Sequence, residues 1–559
     1  GNSVTGCHIH HIGEMNGNAV GVRFMQTQYC YAAYNKVNDS PRNGLHLFGA
    51  PDSNLIGKNI EGIDITAENV RDFKVSEYNT IEYNDASRCR QDSQDTNAIG
   101  AFGIDYFNVI RKNAVHHNYL PPITVDPNSS FWYPYYFDEN SNGSYLLSNL
   151  SYDNQLKEGG PMNAAFHNNA SKDTKVINNI LADTNYKRGV ISVNDMDASV
   201  RIASSITIEK NIFSGFLNTM YSFTGWNDTT VGSIDYNLFN SRTGNYLLAG
   251  KMPKNTLSDW TKSAVTPSDM HSMIGDPMFV SKEKNDYRLS YDSPAYVLGF
   301  QDINQSDIGL KSDYAFSDPK DKLEKLYAFR EGDYLKKAWA TLEIGETAKA
   351  AVVARTENGY IADHQSLHIT YTSDNDSVAK VEADGSITAV GKGRCKINIA
   401  AERNGVSVET VMEIITGDSK MVSLNIMDIG KSVEIGDTLD LKATGVTEFG
   451  KQIRIDHLDL TSNRGDTVIE NNKITFNGTG EYVITATSAE NQDVSGSVTI
   501  NVFDAAFKQI LLSLDKLSYH TGDSIGYAYK LIDSKGKEMD GSGVKITLEG
   551  DQDGFIAIE

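Results

Sequence analysis

Six short segments of one form recur within the first 240 residues and restrict the fold more than any other feature of the chain. They are NTIEYND (79–85), NVIRKN (108–113), YLLSNL (145–150), KVINNI (175–180), ITIEKNIF (206–213) and SIDYNLF (233–239). Each alternates apolar residues and then reaches an asparagine. With Asn84, Asn113, Asn149, Asn179, Asn211 and Asn237 as markers, the intervals are 29, 36, 30, 32 and 26 residues. That is too irregular for a helical repeat and suits strands joined by loops of variable length. A right-handed parallel β-helix accounts for the pattern. Each turn contributes short strands that pair with the turns above and below, and apolar residues point into a narrow core. An asparagine at a fixed place tolerates the left-handed backbone of a tight bend, and its amide reaches the asparagine of the next turn. The alternative, an antiparallel β-sandwich, shows turn signals about every 8 to 12 residues.

The chain has 559 residues, which is long enough for several cores. No apolar run approaches the roughly 20 residues of a membrane helix, so no membrane insertion is expected. Its 51 Lys and Arg against 73 Asp and Glu give a net charge of −22. Such a surface repels nucleic acid and anionic lipid, and suits a neutral sugar or a cation-bridged polymer. The four cysteines, Cys7, Cys30, Cys89 and Cys395, include no CxxC pair and read as small buried hydrophobes.

Composition changes after residue 310. The segment DYRLSYDSPA (286–295) reads as the closing coil of the β-helix domain, assigned to 1–312, and KDKLEKLYAFREGDYLKK within 313–337 reads as a short helix and linker. Further on, Ser373, Asp374 and Val378 to Val381, with Asp384, Gly385, Ala389 and Gly391, carry a resemblance to the bacterial group 2 immunoglobulin-like domain, placed at 338–417. The strand rhythm repeats at 418–504, and a partial module follows at 505–559. The chain opens without a charged and apolar leader and stops short of a full sandwich, so both ends read as cut. Sandwich modules are expected to fold independently, so deleting residues after about 338 is expected to leave turnover of a small substrate intact.

Two stretches suggest chemistry. QDSQDTNAIGAFG places Asp92 and Asp95 ahead of a strand, and FWYPYYFDENSNGS places Asp138 and Glu139 at the end of another. Coils stack about 4.8 Å apart, so acids on successive coils lie within working distance of each other. Two carboxylates are the apparatus of glycoside hydrolysis, about 5 to 5.5 Å apart for retention and about 6.5 to 9.5 Å for inversion. If Phe137 points inward, alternation turns Tyr136 and Asp138 outward. Phe131, Trp132, Tyr133, Tyr135 and Tyr136 offer faces on which sugar rings stack, and His116, His117 and His167 offer hydrogen bonds to substrate. His8, His10 and His11 cluster without a second ligand set nearby in sequence, and no metal ligands are assigned.

The segments around NTIEYNDASRCRQDSQDTNAIG, YYFDENSNGSYLLSNLSYDN and AAFHNNASKDTKVINNIL resemble secreted β-helix glycoside hydrolases related to families 141 and 120, and more loosely pectate lyases, over about residues 1–310. The resemblance implies a secreted or cell-surface bacterial hydrolase of a plant or microbial polysaccharide or its oligosaccharides, with Asp95 and Asp138 in the cleft and no cofactor. The immunoglobulin-like modules then serve as spacers or as arms toward a cell wall. One alternative is a polysaccharide lyase, which needs Ca²⁺ held by several acids and an Arg or Lys base, with Arg88, Arg90, Arg111 and Lys112 as the nearby candidates. The other is a non-catalytic adhesin with a β-helix stalk. Clustered acids beside aromatics favour an enzyme.

Overall fold

The computed structural model describes residues 1–559 apart from 14, 90–92, 94, 119–130, 155–163, 184–187, 197–200, 228, 262–267, 312–320, 334, 419, 427–431, 449, 451, 456, 489–492, 505–506, 515–526, 534–537 and 540–559. The chain is all-β and divides into two compact units: 1–340 with 345–390 and 394–414, and 341–344 with 391–393 and 415–559.

The first unit begins as a parallel β-helix. Its first sheet stacks eight strands from Ser3–Thr5 to Val231–Asp235, its second nine from His8–His10 to Met273–Ile274, and its third eight from Val22–Met25 to Leu247–Gly250. Every coil gives one strand to each sheet in turn, in parallel register. In the first sheet Ala32, Ile81, Ile110, Leu146, Val176, Ile208 and Ile234 form one inward column, each at most 1% exposed. Burying such side chains is worth about 1.5–3 kcal/mol each, which is why three-residue strands suffice when they are stacked.

The asparagines form a continuous ladder at the corner between the first and second sheets. Each Nδ2 donates to the next Oδ1 at 2.8–3.1 Å, from Asn35 through Asn84, Asn113, Asn149, Asn179 and Asn211 to Asn237. Asn237 then donates to Asp269 Oδ1 at 3.2 Å. The left-handed residue is not the asparagine, as the sequence suggested, but the one before it: Tyr83, Lys112, Ser148, Asn178, Lys210 and Tyr236 all have φ between 54° and 61°. The asparagine instead supplies the amide that satisfies the buried backbone of the corner.

Residues 286–295 do not close the helix as a last coil. Asp286–Leu289 forms an antiparallel pair with Phe279–Ser281. Tyr287, Leu289, Leu298, Phe300 and Ile303 lie over Ala114, Leu150, Ile180, Ile212 and Leu238, the outward apolar column of the second sheet. That column needs a cover, and the chain itself provides one.

The expected helix and linker at 313–337 is also corrected. Leu323–Arg330 is a strand, paired antiparallel with Thr347–Thr356. Leu326 and Ala328 are buried while Glu324 is exposed, a strand alternation that the charged residues disguise. The immunoglobulin-like sandwich therefore starts about fifteen residues earlier than its resemblance suggested. Nor does it stand apart from the coils. Buried Arg355 donates to the carbonyls of Ser306 and Ile308, in the segment that Gly309 N–H ties to the Tyr83 carbonyl of the coils at 2.7 Å. The Tyr360 hydroxyl lies 3.4 Å from His8 Nδ1. All four cysteines are free, and Cys30, Cys89 and Cys395 are buried.

In the second unit Gly480–Ser488 pairs antiparallel with both Ser495–Phe503 and Leu458–Ser462. Leu424, Leu441, Ile474, Phe476, Tyr482, Ile484 and Ile500 form its core.

Candidate functional site on the third sheet

On the third sheet the strand Phe131–Asp138 lies between Asp95–Phe102 and Phe166–Asn169. Phe137 is fully buried in the core, so Tyr136 and Asp138 face outward as alternation requires. Trp132 and Tyr135, three residues apart, both belong to the core, so the alternation breaks at Pro134. This removes Trp132 from any sugar platform: it is 1% exposed and packs inside the coils. Tyr135 points inward too, its hydroxyl donating to the carbonyls of Asn113 and Leu150. Tyr133 and Tyr136 sit outside the core but pack with Ala164 in a small buried cluster. His167 stacks on Tyr133 with ring centroids 4.3 Å apart and planes 16° apart. Burial, and then the Arg188 charge, lowers the His167 pKa to about 3. Its Nδ1 donates to the Ser192 carbonyl at 3.1 Å, leaving Nε2 as an acceptor.

Asp138 closes its strand. Burial pushes its carboxyl up to about 6, against hydrogen bonds from Asn169 and Tyr136, and the charges of Asp95 and Glu139 push it further. Asn169 Nδ2 donates to Asp138 Oδ1 at 2.8 Å, Asn194 Nδ2 donates to Asn169 Oδ1 at 2.8 Å, and Thr224 Oγ1 donates to Asn194 Oδ1. A polar row thus runs down four coils from the acid. Asp95 opens the neighbouring strand, one coil earlier. It pairs with Phe131 while Asp138 pairs with Phe102, so the two acids stand at opposite ends of adjacent strands. Burial raises the Asp95 carboxyl against the Arg42 charge, and Glu139 adds to the rise. Glu139 lies 3.5 Å from the Arg201 guanidinium. Asp92 lies outside the described residues.

The structure does not bring His116 and His117 to these acids. They lie at the end of a second-sheet strand and line a cavity of about 510 Å³ together with Asp85, Tyr152, Lys325 and Tyr327. His116 Nε2 is 3.1 Å from Asp85, the two Nδ1 atoms are 2.6 Å apart, and His117 Nε2 is 3.3 Å from Asp153. The basic residues weighed for a lyase are engaged elsewhere: Arg88 with Asp39, Arg111 with Glu82, and Lys112 with the Tyr83 hydroxyl. Arg90 is not described. His8 and His10 share a strand face with ring centroids 4.4 Å apart. Among the described residues no three His, Cys, Asp or Glu are grouped to hold a metal.

Sequence reasoning missed Asn169, Asn194, Thr224 and Arg188. Their signal lies in the register: Asn169 meets Asp138 from 31 residues away, Asn194 and Thr224 extend the row by one coil each, and Arg188 acts on Tyr133 from 55 residues away.

Comparisons bear on only part of this chain. Residues 336–411 match the family model of the bacterial Ig-like domain (group 2). No curated protein matches the chain. Among solved structures, the S-layer protein rSbsC(31-844) is similar at 15% identity with a TM-score of 0.19, covering 39% of this chain and 32% of its own. Domains 4 and 5 of the S-layer protein SbsC align at 16% identity over 32% of this chain and 98% of theirs, with a TM-score of 0.19. Mouse protocadherin-24 EC1-3 aligns at 12% identity over 30% of this chain and 67% of its own, with a TM-score of 0.15. This chain therefore spans about a third of the first of these. A group 2 immunoglobulin-like domain is consistent with a cell-surface protein. Among the described residues no helix is long and apolar enough to cross a membrane.

Proposed function

We propose that the chain is a secreted or surface-attached glycoside hydrolase whose site is the outer face of the third sheet. The observation that carries this reading is Asp138: an outward carboxyl titrating near 6, next to the charges of Asp95 and Glu139 and held by the Asn169 amide. A carboxyl with that titration keeps a proton available at mildly acidic to neutral pH, which suits a general acid protonating a glycosidic oxygen. Asp95, at the opposite end of the adjacent strand but with a charge that reaches Asp138, is the partner we assign as base or nucleophile, which requires the two carboxyls to come within about 10 Å.

The test is turnover of a panel of aryl glycosides and plant and microbial polysaccharides by the full chain and by Asp138→Asn and Asp95→Asn. Loss of general acid–base catalysis is expected to lower the rate about 10² to 10⁴-fold. Unchanged turnover in both variants rejects the assignment.

A further inference from the structure

The third sheet carries a second polar group beyond Asp138, on its first three coils. Arg23, His46, Gly100, Tyr136 and His167 stand in one outward row, in register across five coils. Arg23 lies over the Phe48 ring at 5.2 Å, and Phe48 stacks on Phe102, the residue paired with Asp138, at 5.1 Å. Gly100 is the gap in the row. A Cβ there would lie 2.8 Å from the Asn97 amide, which folds over the strand into that space.

Three buried polar atoms in this group have no hydrogen-bond partner: Arg23 Nε, His46 Nδ1 and Asn97 Oδ1. His46 is 7% exposed and Asn97 3%, so the protein has left expensive groups unmatched at one place. The charges agree. Arg42 donates to the Asp95 carbonyl at 3.2 Å and to Asn18 Oδ1 at 3.4 Å, and the Asp95 carboxylate opposes its charge without forming a close ion pair. Among the described residues neither Arg23 nor Arg42 makes an ion pair. Each instead acts on its cationic neighbours: Arg42 on Arg23, and both on His46. Two guanidiniums that act on each other, neither in a close ion pair among the described residues, are anomalous in a chain of net charge −22.

We infer that Arg23 and Arg42, with His46 and Asn97, form a subsite for a sugar carrying a carboxylate, and that the substrate is an acidic oligosaccharide lying along the coils from this subsite to Asp138. The inference rests on the hydrolase reading for the second end of that path only. Arg23 stands three coils from Tyr136, about 14 Å at one strand spacing per coil, a reach that a short oligosaccharide spans. The guanidiniums take the carboxylate, while the Asn97 oxygen and the His46 ring take hydroxyls.

The experiment is calorimetric binding to the full-length Asp138→Asn protein. The probes are defined tri- to hexasaccharides containing galacturonate, glucuronate or guluronate, the same oligosaccharides after carboxyl reduction, and sulfated neutral oligosaccharides. At least one uronate oligosaccharide is expected to bind, with carboxyl reduction weakening it about 10- to 100-fold and added salt weakening it further. Arg23→Gln and Arg42→Gln should each erase most of that preference, and Arg42→Lys should keep part of it. Binding by none of the uronates, equal binding of the reduced forms, preference for sulfate alone, or a preference that survives both arginine variants overturns the subsite. Wild-type cleavage of neutral glycans without acid preference would remove the subsite and leave the hydrolase. Acid-selective binding without cleavage of any bound glycan would do the reverse.

Discussion

Asn169 points its amide at the Asp138 carboxyl from the next coil, at 2.8 Å, and is itself held by Asn194 from the coil beyond. The acid is therefore oriented by a row of side chains that repeats with the coils, rather than by a loop. Asn169 is 8% exposed and Asn194 half-buried, so the row is shielded enough for its hydrogen bonds to matter.

The Asn169 hydrogen bond stabilises the ionised form of Asp138 and works against burial. Asn169→Ala should therefore move the Asp138 titration above its present value near 6, and the alkaline limb of the pH–rate profile should shift upward with it. Asn169→Asp adds a like charge and should shift it further. A limb that stays in place in both variants would show that another group is the acid.

His167 provides a pH test of the fold. Burial lowers its pKa to about 3 in the native protein, against about 6.5 when unfolded. Between those values the unfolded chain binds the extra proton, so this stabilising contribution is complete above about pH 6.5 and is lost as pH falls toward 3. The loss at pH 4 should be about 3 kcal/mol, at about 1.4 kcal/mol per pKa unit. His167→Gln should flatten this part of the stability curve, measured by urea unfolding from pH 4 to 7. A slope identical to that of the wild type would mean that His167 is not neutral in the native state.

The coils were legible because their ladder repeats the same residue over successive turns: Asn84 to Asn237 mark one corner. The left-handed position beside it was not, because Tyr, Lys, Ser and Asn all occupy it. The aromatic run misled for a geometric reason. Strict alternation puts Trp132 and Tyr135 on opposite faces, and the break at Pro134 puts both inside. Leu323–Arg330 read as helix because its partner strand, Thr347–Thr356, begins more than twenty residues later and its charges interrupt the alternation. Asp138 was visible as an acid after a strand, whereas Asn169, Asn194 and the Arg23–His46 row acquire meaning only from the register between coils.

Asn149 tests the ladder. It is fully buried, its Oδ1 accepts from both N and Nδ2 of Asn113, and its Nδ2 donates to Asn179 Oδ1 and to the Ile110 carbonyl. Asn149→Ala strands donors and an acceptor at once, so the expected cost is about 3 kcal/mol or more. Asn149→Asp keeps the acceptor and loses the donor, and should fall between the two at low pH. Chemical unfolding measures both. A cost under about 0.5 kcal/mol for the alanine variant would show that water replaces the amide.

The last prediction reverses the expectation drawn from modular folding. The first immunoglobulin-like domain shares a compact unit with the β-helix, through Arg355 on Ser306 and Ile308 and Tyr360 beside His8. Arg355 and Tyr360 are 7% and 8% exposed, so removing the domain uncovers a surface that the coils do not otherwise satisfy. A chain ending at residue 417 keeps this contact and should unfold at a temperature within a few degrees of the full chain's first transition. A chain ending at residue 337 loses the sheet partner of Leu323–Arg330 as well as Arg355, and should melt markedly lower or precipitate. Arg355→Met, which keeps the bulk of the side chain while removing its hydrogen bonds, should lower the first transition by an intermediate amount in scanning calorimetry. Equal melting of the 337 and 417 chains would mean that the contact contributes nothing and that the domain is a spacer after all.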